Sequence, residues 1–309
     1  MIVKTKILAL LLAAALFCSL VSCGPPQAAD ANKLQIVATL FPQYDFAREI
    51  VGDKGEVTLL LPNGVDVHSF DPTTADVITI NQSDLFIYTG DDMEVWVPQI
   101  IDASDTALHV LNVSQGITLL EESHDGHAHG EHAHAHDPHV WTSPKNAMIM
   151  VDNILNAVCA LDPDNAAFYK ENAARYTKEL EKLDAQFLQI AGTAKTKTIL
   201  FAGRFACNYF AQEYGFSHIA AFDSCSENAE PASSVVAELI DRIKADGIEY
   251  VYYEELTDPK TARVLSEETG CKSLLFHSCH NISKAEARAG ATYLSLMQQN
   301  AENLRKGLC

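Results

Sequence analysis

Cationic side chains are scarce in this chain. Only 22 Lys and Arg stand against 41 Asp and Glu among 309 residues, and the formal net charge is −19. Such a chain is not drawn to nucleic acid or to anionic lipid, so neither is expected as a partner. The acidity attracts cations, but weakly and without choosing between them.

Several short motifs of zinc and hydrolase sites are also missing. No CxxC occurs, so a zinc ribbon or a thioredoxin-like centre has no support. No HExxH or GxSxG occurs either, which removes the usual signals of helical metalloproteases and serine hydrolases.

Long apolar runs are limited to one, Ile7–Ser22, which follows a short basic start. Its 16 residues are fewer than the roughly 20 that span a membrane, and they suit a signal peptide. Cys23 comes next, and a Gly-Pro-Pro sequence after it ends any helix. We predict a lipoprotein signal peptide over 1–22, acylation of Cys23 and a tether over 23–33. A membrane helix that happens to end in Cys is the alternative.

The rest of the chain has six further cysteines. If the protein is exported, disulfides are permitted, and six thiols allow 15 pairings between which the sequence does not choose. These residues are Cys159, Cys207, Cys225, Cys271, Cys279 and Cys309.

Short runs of Val, Ile and aromatic residues alternate with helical patterns twice along the chain. This alternation predicts an α/β fold with two lobes, each with a mainly parallel four-stranded sheet. We assign 34–143 to an N-terminal lobe, 144–192 to connecting helices and 193–309 to a C-terminal lobe. The predicted strands are Leu34–Leu40, Val57–Leu61, Leu85–Thr89, Leu108–Val113, Thr198–Ala202, His218–Phe222, Ile248–Tyr253 and Ser273–Phe276. The predicted helices outside the connecting segment are 43–51, 73–82, 93–103, 205–214, 232–245, 258–269 and 283–306.

A long helical pattern joins the two lobes. Residues 163–191 make 29 positions, a helix of about 43 Å. Its apolar side chains recur every three or four residues and so share one face. We expect a stiff connector, and an ordinary long surface helix is the alternative. The face consists of Tyr169, Ala173, Tyr176, Leu180, Leu183, Phe187 and Ile190.

Seven of the twelve histidines fall within sixteen residues, separated by Gly, Ala, Glu and Asp. Nothing there could form a core, whereas neutral imidazole binds zinc, copper and nickel well. The segment 124–136 is therefore predicted to be a weak auxiliary metal-binding loop. Its histidines are His124, His127, His129, His132, His134 and His136.

The seventh of these histidines, His139, and two histidines elsewhere lie in loops near predicted strand ends or helix starts. His68 follows a strand, His277 follows the last strand, and His139 lies between Pro138 and Trp141, which can fix its segment. Ligands in open α/β sheets gather at the carboxyl ends of strands. Each of these histidines taken singly could be a packed or surface residue. Together they predict a zinc site in the cleft between the lobes.

Five segments resemble the metal-specific substrate-binding proteins of ABC importers, the zinc and manganese class called cluster A-I. They are Ala38–Tyr44, Leu61–Pro72, Tyr88–Gly90 with Glu94 and Trp96, Asp137–Pro144 and Tyr209–Phe216. The match covers nearly all of the chain after the leader. It implies two α/β lobes joined by one long helix, no enzymatic activity, and a membrane permease with its ATPase as partners. The His-rich loop is typical of the zinc-specific branch.

The resemblance implies ligand roles for His68 and His139. The family's third ligand, His or Glu, corresponds here to Arg204. A guanidinium is a permanent cation without an acceptor, so it cannot coordinate a metal. We expect Arg204 to turn away from the metal or to pair with an acid such as Asp223 or Glu227, and exposure to solvent is the alternative.

The family's fourth ligand, usually Asp, is matched by His277. The resemblance thus favours His277 as the ligand from the second lobe. Candidates to complete the set of ligands are Cys225 or a water, and more weakly Glu230 and His280.

These features predict a monomeric, extracytoplasmic zinc-binding component of an ABC importer, held on the outer face of a bacterial membrane through its lipid anchor alone. Zn²⁺ is its cargo. Delivery of manganese or iron is an alternative, although imidazole ligands favour zinc. A secreted zinc hydrolase, and a zinc-buffering or adhesive surface lipoprotein without a transporter, also stay open.

Overall fold

The structure, a computed structural model, describes residues 33–104, 108–121, 136–222 and 231–309. Within it, Leu34–Cys309 form one compact unit that contains two sheets of four strands each. Every strand pairing in both sheets is parallel, and helices connect the strands. The predicted α/β fold class with two parallel sheets is confirmed.

The first sheet has the strand order β2-β1-β3-β4. Its central strands are apolar: all four residues of β3 are buried, as are the last three of β1. Burial on both faces is what a parallel sheet covered by helices requires. The strands are β1 (Leu34–Ala38), β2 (Gly55–Leu59), β3 (Leu85–Tyr88) and β4 (His109–Asn112), and the helices among them are α1 (Phe41–Val51), α2 (Thr74–Asn81) and α3 (Val97–Ala103).

Two helices follow the first sheet, α4 (Pro144–Leu161) and α5 (Ala166–Thr193). Pro144 occupies the first turn of α4, where its missing N–H costs nothing, and Ser143 caps that helix. Helix α5 has 28 residues and is therefore about 42 Å long. All seven side chains of its predicted apolar face are buried. That face belongs to a core that also contains Ile36 of the first sheet and Phe201 of the second.

The second sheet repeats the arrangement with the order β6-β5-β7-β8. All eight predicted strands are present, with ends shifted by a few residues. The strands of this sheet are β5 (Thr198–Arg204), β6 (Ser217–Phe222), β7 (Tyr250–Tyr253) and β8 (Lys272–Leu275). Its helices are α6 (Asn208–Tyr214), α7 (Ser233–Asp246), α8 (Lys260–Thr269), α9 (Lys284–Ala289) and α10 (Tyr293–Leu308).

The last predicted helix, 283–306, is two helices in the structure. Gly290 ends α9 in the left-handed conformation with φ of 74°, which glycine adopts without steric cost. Ser283 and Thr292 each start a helix with a capping box. The prediction of one continuous helix was wrong: it followed the apolar pattern across 283–306, whereas Gly290 and Thr292 end one helix and start the next.

Direct hydrogen bonds join the two sheet-bearing lobes. The Trp141 indole donates to the Ser278 carbonyl oxygen at 2.8 Å, and the Tyr293 hydroxyl donates to the Trp141 carbonyl oxygen at 2.5 Å. Asn281 donates to the Pro62 carbonyl oxygen at 2.8 Å. The lobes are therefore parts of one unit, while the predicted boundaries of the domains stay predictions.

Five of the six cysteines that follow Cys23 lie among the described residues, and all five are free thiols. None of the described helices is both long and apolar enough to span a membrane. Cys23, Cys225 and the predicted signal peptide lie outside the described residues.

Candidate metal centre

His68 lies in a short 3₁₀ turn, Val67–Ser69, in the loop that follows β2. Asp66 precedes the turn, and its Oδ1 accepts the His68 backbone N–H at 2.9 Å. A carboxylate at this position stabilises the first turn by satisfying an amide that has no partner within it. The sequence therefore sets the backbone of His68 locally.

His139 is buried, with 2% of its surface exposed. Asp137 accepts both its backbone N–H at 2.9 Å and its Nδ1–H at 2.7 Å. Asn208 in turn donates to the Asp137 carboxylate at 2.9 Å. The ring proton is thereby assigned to Nδ1, and Nε2 is buried with a lone pair and no hydrogen-bond partner. A carboxylate behind a histidine is the usual support of a metal ligand.

Burial opposes ionisation of Asp137, but the adjacent His139 and the hydrogen bonds to its carboxylate outweigh that effect and lower its pKa. The carboxylate therefore stays charged. It can stabilise positive charge that develops on the His139 ring when Nε2 binds a cation.

His280 has a similar support built from different residues. Its Nδ1 contacts the Ser278 hydroxyl, which also contacts the Glu255 carboxylate. Because an ionised carboxylate only accepts, the hydroxyl donates to Glu255 and accepts from His280 Nδ1–H. Nε2 of His280 is buried without a partner, as in His139. Cys279, which lies between Ser278 and His280 in the chain, has a positive φ of 62° that turns the backbone sharply.

Three imidazoles converge at one point. His68, His139 and His280 each offer a ring nitrogen, and these atoms lie within 4.8 Å of one another. The ring centroids of His139 and His280 are 4.6 Å apart, and each is 5.7 Å from that of His68. Nitrogen ligands of a tetrahedral zinc, at about 2.0–2.1 Å from the metal, stand about 3.4 Å apart. Small side-chain movements would bring the three nitrogens to that spacing.

Trp141 forms the floor beneath two of these rings. Its ring is fully buried and lies edge-on to His139 at 5.6 Å and to His280 at 5.2 Å between centroids. The packed indole ring limits the access of water to the two imidazoles and restricts their rotation. Such restraint is what a fixed metal ligand needs.

The electrostatics keep His280 neutral. Burial lowers its pKa well below 6.5, and the neighbouring His139, His68, Arg204 and His277 add to that effect when they are charged. A neutral imidazole has a lone pair available for a metal, whereas a protonated one has none.

His277 does not belong to this group, although the sequence favoured it over His280. Its Nδ1 accepts the Cys279 backbone N–H at 2.9 Å, so the proton of a neutral ring lies on Nε2. Nε2 lies 3.6 Å from Glu286 Oε1, beyond hydrogen-bond distance, so it too is buried without a hydrogen-bond partner. It differs from Nε2 of His139 and His280 because it carries the ring proton and lies outside the three-histidine group. Burial opposes protonation, but Glu255 and Glu286 outweigh it and raise the pKa of His277. Whether neutral or doubly protonated, the ring has no lone pair left for a metal.

Arg204 pairs with acids, as expected, and two of them are Asp66 and Glu254. Its Nη2 lies 3.3 Å from Asp66 Oδ2, and its Nε lies 3.3 Å from Glu254 Oε1. Asp223 and Glu227 lie outside the described residues, so the predicted pairing with either of them stays a prediction. Burial lowers the pKa of Arg204, but Glu254 and Asp66 outweigh that effect and raise it, so the cation is permanent.

Most of the predicted His-rich loop lies outside the described residues. His124, His127, His129, His132 and His134 lie outside the described residues, as do Cys225 and Glu230. His136 is described: its Nδ1 lies 3.1 Å from Asp92 Oδ2, and it is not part of the three-histidine group.

Sequence reasoning missed the supports of the site. Glu255 and Ser278 were not identified, although Glu255 follows the end of β7, where ligands and their partners gather. His280 was considered only as a weak candidate. No signal in the sequence distinguishes His277 from His280, since the two lie three residues apart in one loop.

The chain is similar over most of its length to curated zinc-binding proteins. It is 36% identical over 306 residues to the high-affinity zinc uptake system protein ZnuA of Bacillus subtilis, covering 96% of this chain and 95% of that one. It is 34% identical over 307 residues to the zinc-binding lipoprotein AdcA of Streptococcus pneumoniae, covering 97% of this chain. The chain spans only 61% of the length of AdcA.

The fold matches a solved zinc complex. The Zn(II)-bound ZnuA-like domain of Streptococcus pneumoniae AdcA superposes with a TM-score of 0.77 at 32% identity, covering 89% of this chain and 99% of that domain. The family model described as zinc-uptake complex component A, periplasmic (ZnuA), matches residues 36–307. The chain therefore belongs to the ZnuA family of zinc-uptake proteins.

Proposed function

We propose that this protein is the extracytoplasmic zinc-binding component of an ABC importer, and that it captures Zn²⁺ with His68, His139 and His280. One observation carries this proposal: three imidazoles from separate segments converge, and the Nε2 atoms of His139 and His280 are buried without partners. A buried polar atom without a partner is costly, and a bound cation would satisfy both. The family and its zinc-binding relatives support the same function.

Zinc is the proposed cargo because the donors in the group are all imidazole nitrogens. Manganese prefers carboxylate and carbonyl oxygens, whereas imidazole suits zinc. The nearby carboxylates of Asp137 and Glu255 are engaged behind the rings, where they orient the donors. A fourth donor would be a water or a residue outside the described part of the chain.

Capture and release follow from where the donors come from. His68 belongs to the N-terminal lobe, His280 to the C-terminal lobe, and His139 to the segment just before α4. Binding a metal thus ties the lobes together, and the metal would be released when the loop that carries His68 separates from the loop that carries His280. Since α5 is one continuous helix beside both sheets, we expect small loop movements and not a wide opening.

The donors must be deprotonated to bind, so zinc affinity falls as pH drops below the pKa of the histidines. The permease would recognise the loaded form, and ATP hydrolysis by the partner ATPase would drive import. The protein itself would catalyse nothing. We further propose that it acts as a monomer held to the membrane by a lipid on Cys23.

Two measurements test this proposal. Competition with a chromophoric chelator on the protein purified without its predicted leader should reveal one tight zinc site and a marked preference over manganese. Cells that lack the gene should take up less zinc at limiting zinc and recover when it is restored. A protein without a tight site, or one that prefers manganese, would contradict the proposed cargo. Tight binding with unchanged uptake would favour a zinc-buffering surface lipoprotein.

A further inference from the structure

Arg204 lies at the last residue of β5 and reaches toward the other lobe. Its side chain is only 12% exposed, and it bridges Glu254 of its own lobe to Asp66 of the N-terminal lobe. Asp66 is the same residue whose other carboxylate oxygen accepts the His68 N–H. One carboxylate therefore connects a cation of the C-terminal lobe to the turn that presents His68.

A second contact holds the same loop. Asn281 is fully buried and follows His280 directly. Its side-chain amide donates to the carbonyl oxygens of Pro62 at 2.8 Å and Val65 at 2.9 Å. The loop before His68 is thus held by the C-terminal lobe at two places, and both holding residues lie near or next to the three-histidine group.

The Arg204 ion pairs are shielded from water, so they should contribute more to holding the lobes together than an exposed pair would. Exposed pairs such as Arg242–Asp246, whose side chains are 55% and 44% exposed, contribute little because water screens them. Arg204 and Glu254 are each 12% exposed, and Asp66 is 33% exposed. Removing Arg204 leaves Asp66 and Glu254 without the cation that they share, which costs more than losing a surface pair.

We infer that Arg204 is a positioning residue for zinc capture, which acts through Asp66 to hold the His68 turn against the C-terminal lobe. This inference rests on the proposed function. The residue ties the lobes together by an ion pair, without coordinating the metal. Its expected effect is on how long zinc stays bound, because His68 can leave the metal only when its turn separates from the opposite lobe.

Three variants isolate the contact. Asp66→Asn keeps an oxygen that can cap the His68 turn, since Asn is also a favoured N-cap, but removes the charge that faces Arg204. Arg204→Met removes the cation at similar length, and the double variant removes both. Arg242→Met is the matched control on an exposed ion pair of the same lobe.

Zinc release into excess chelator should be about tenfold faster in Asp66→Asn and in Arg204→Met, and no faster than that in the double variant, because both changes remove one shared contact. The Co²⁺ absorption bands should change in these variants, since a looser His68 alters the coordination, and a purely structural loss would move only the melting temperature. Arg242→Met should match the wild type in both measurements.

Removing a cation near the site also lowers the electrostatic repulsion of Zn²⁺, which by itself would slow zinc release. Release is therefore measured at low and at high salt, since high salt screens the effects of exposed charges. Slower or unchanged release in Arg204→Met, or additive effects in the double variant, would overturn the inference. If the wild type itself has no tight zinc site, the proposed function fails. If the wild type binds tightly and the variants release zinc at its rate, only the role of Arg204 fails.

Discussion

The two histidines of the last strand-end loop should respond very differently to removal. In His280→Ala, one of three converging donors is lost, and we expect zinc affinity to fall a hundredfold or more. That corresponds to a loss of about 3 kcal/mol, because each tenfold change is about 1.4 kcal/mol. Little of this loss can be recovered through His277, since its Nδ1 accepts the Cys279 N–H and its Nε2 therefore carries the ring proton.

His277→Ala should weaken zinc binding by only about tenfold, the lower end of what residues behind a ligand contribute. Its ring holds the Cys279 N–H, and Cys279 forms the turn that presents His280. The larger cost should fall on stability, because a buried amide left without its acceptor costs about 1–3 kcal/mol. His277→Ala should therefore lower the melting temperature of the zinc-free protein more than His280→Ala does.

The assay is chelator competition at pH 7.5 together with thermal unfolding of the zinc-free proteins. His109→Ala, at an exposed position of β4, is the control for losing a histidine as such. A loss in His277→Ala as large as in His280→Ala, with the fold retained, would refute the reasoning and return the ligand role to His277. His280→Asp should shift preference toward manganese, since an oxygen then replaces a nitrogen.

Three further predictions concern other parts of the chain. His68→Ala and His139→Ala should each weaken zinc binding a hundredfold or more by calorimetry, and effects below tenfold in both would place the metal elsewhere. Deleting 124–135 should remove weak zinc sites and leave the tight one, so loss of the tight site would disprove this division. Burial raises the pKa of Glu94 from 4.5 to about 7, so the folded state holds its proton more tightly than the unfolded state. The free energy of unfolding should therefore fall as pH rises from about 4.5 to 7, by up to about 3 kcal/mol from this residue. Urea unfolding of Glu94→Gln should show a shallower decline, and an unchanged slope would contradict this assignment.

The sequence by itself determined the local structure and the general kind of site. Strand and helix patterns depend on which side chains are apolar at which spacing, so the two parallel sheets and the buried face of α5 could be predicted from single segments. His68 and His139 could be identified because each lies in a loop with its own Pro, Asp or Trp supports.

Only the tertiary structure decided which residues meet. His277 and His280 lie in one loop, and the difference between them arises from the Cys279 turn, from Glu255 at the end of another strand and from Glu286 on α9. Two partners of Arg204 in the described part of the chain likewise come from positions 138 and 50 residues away. Orientation of a side chain and contacts between distant segments depend on how the lobes pack, and no short-range pattern in the sequence encodes that packing.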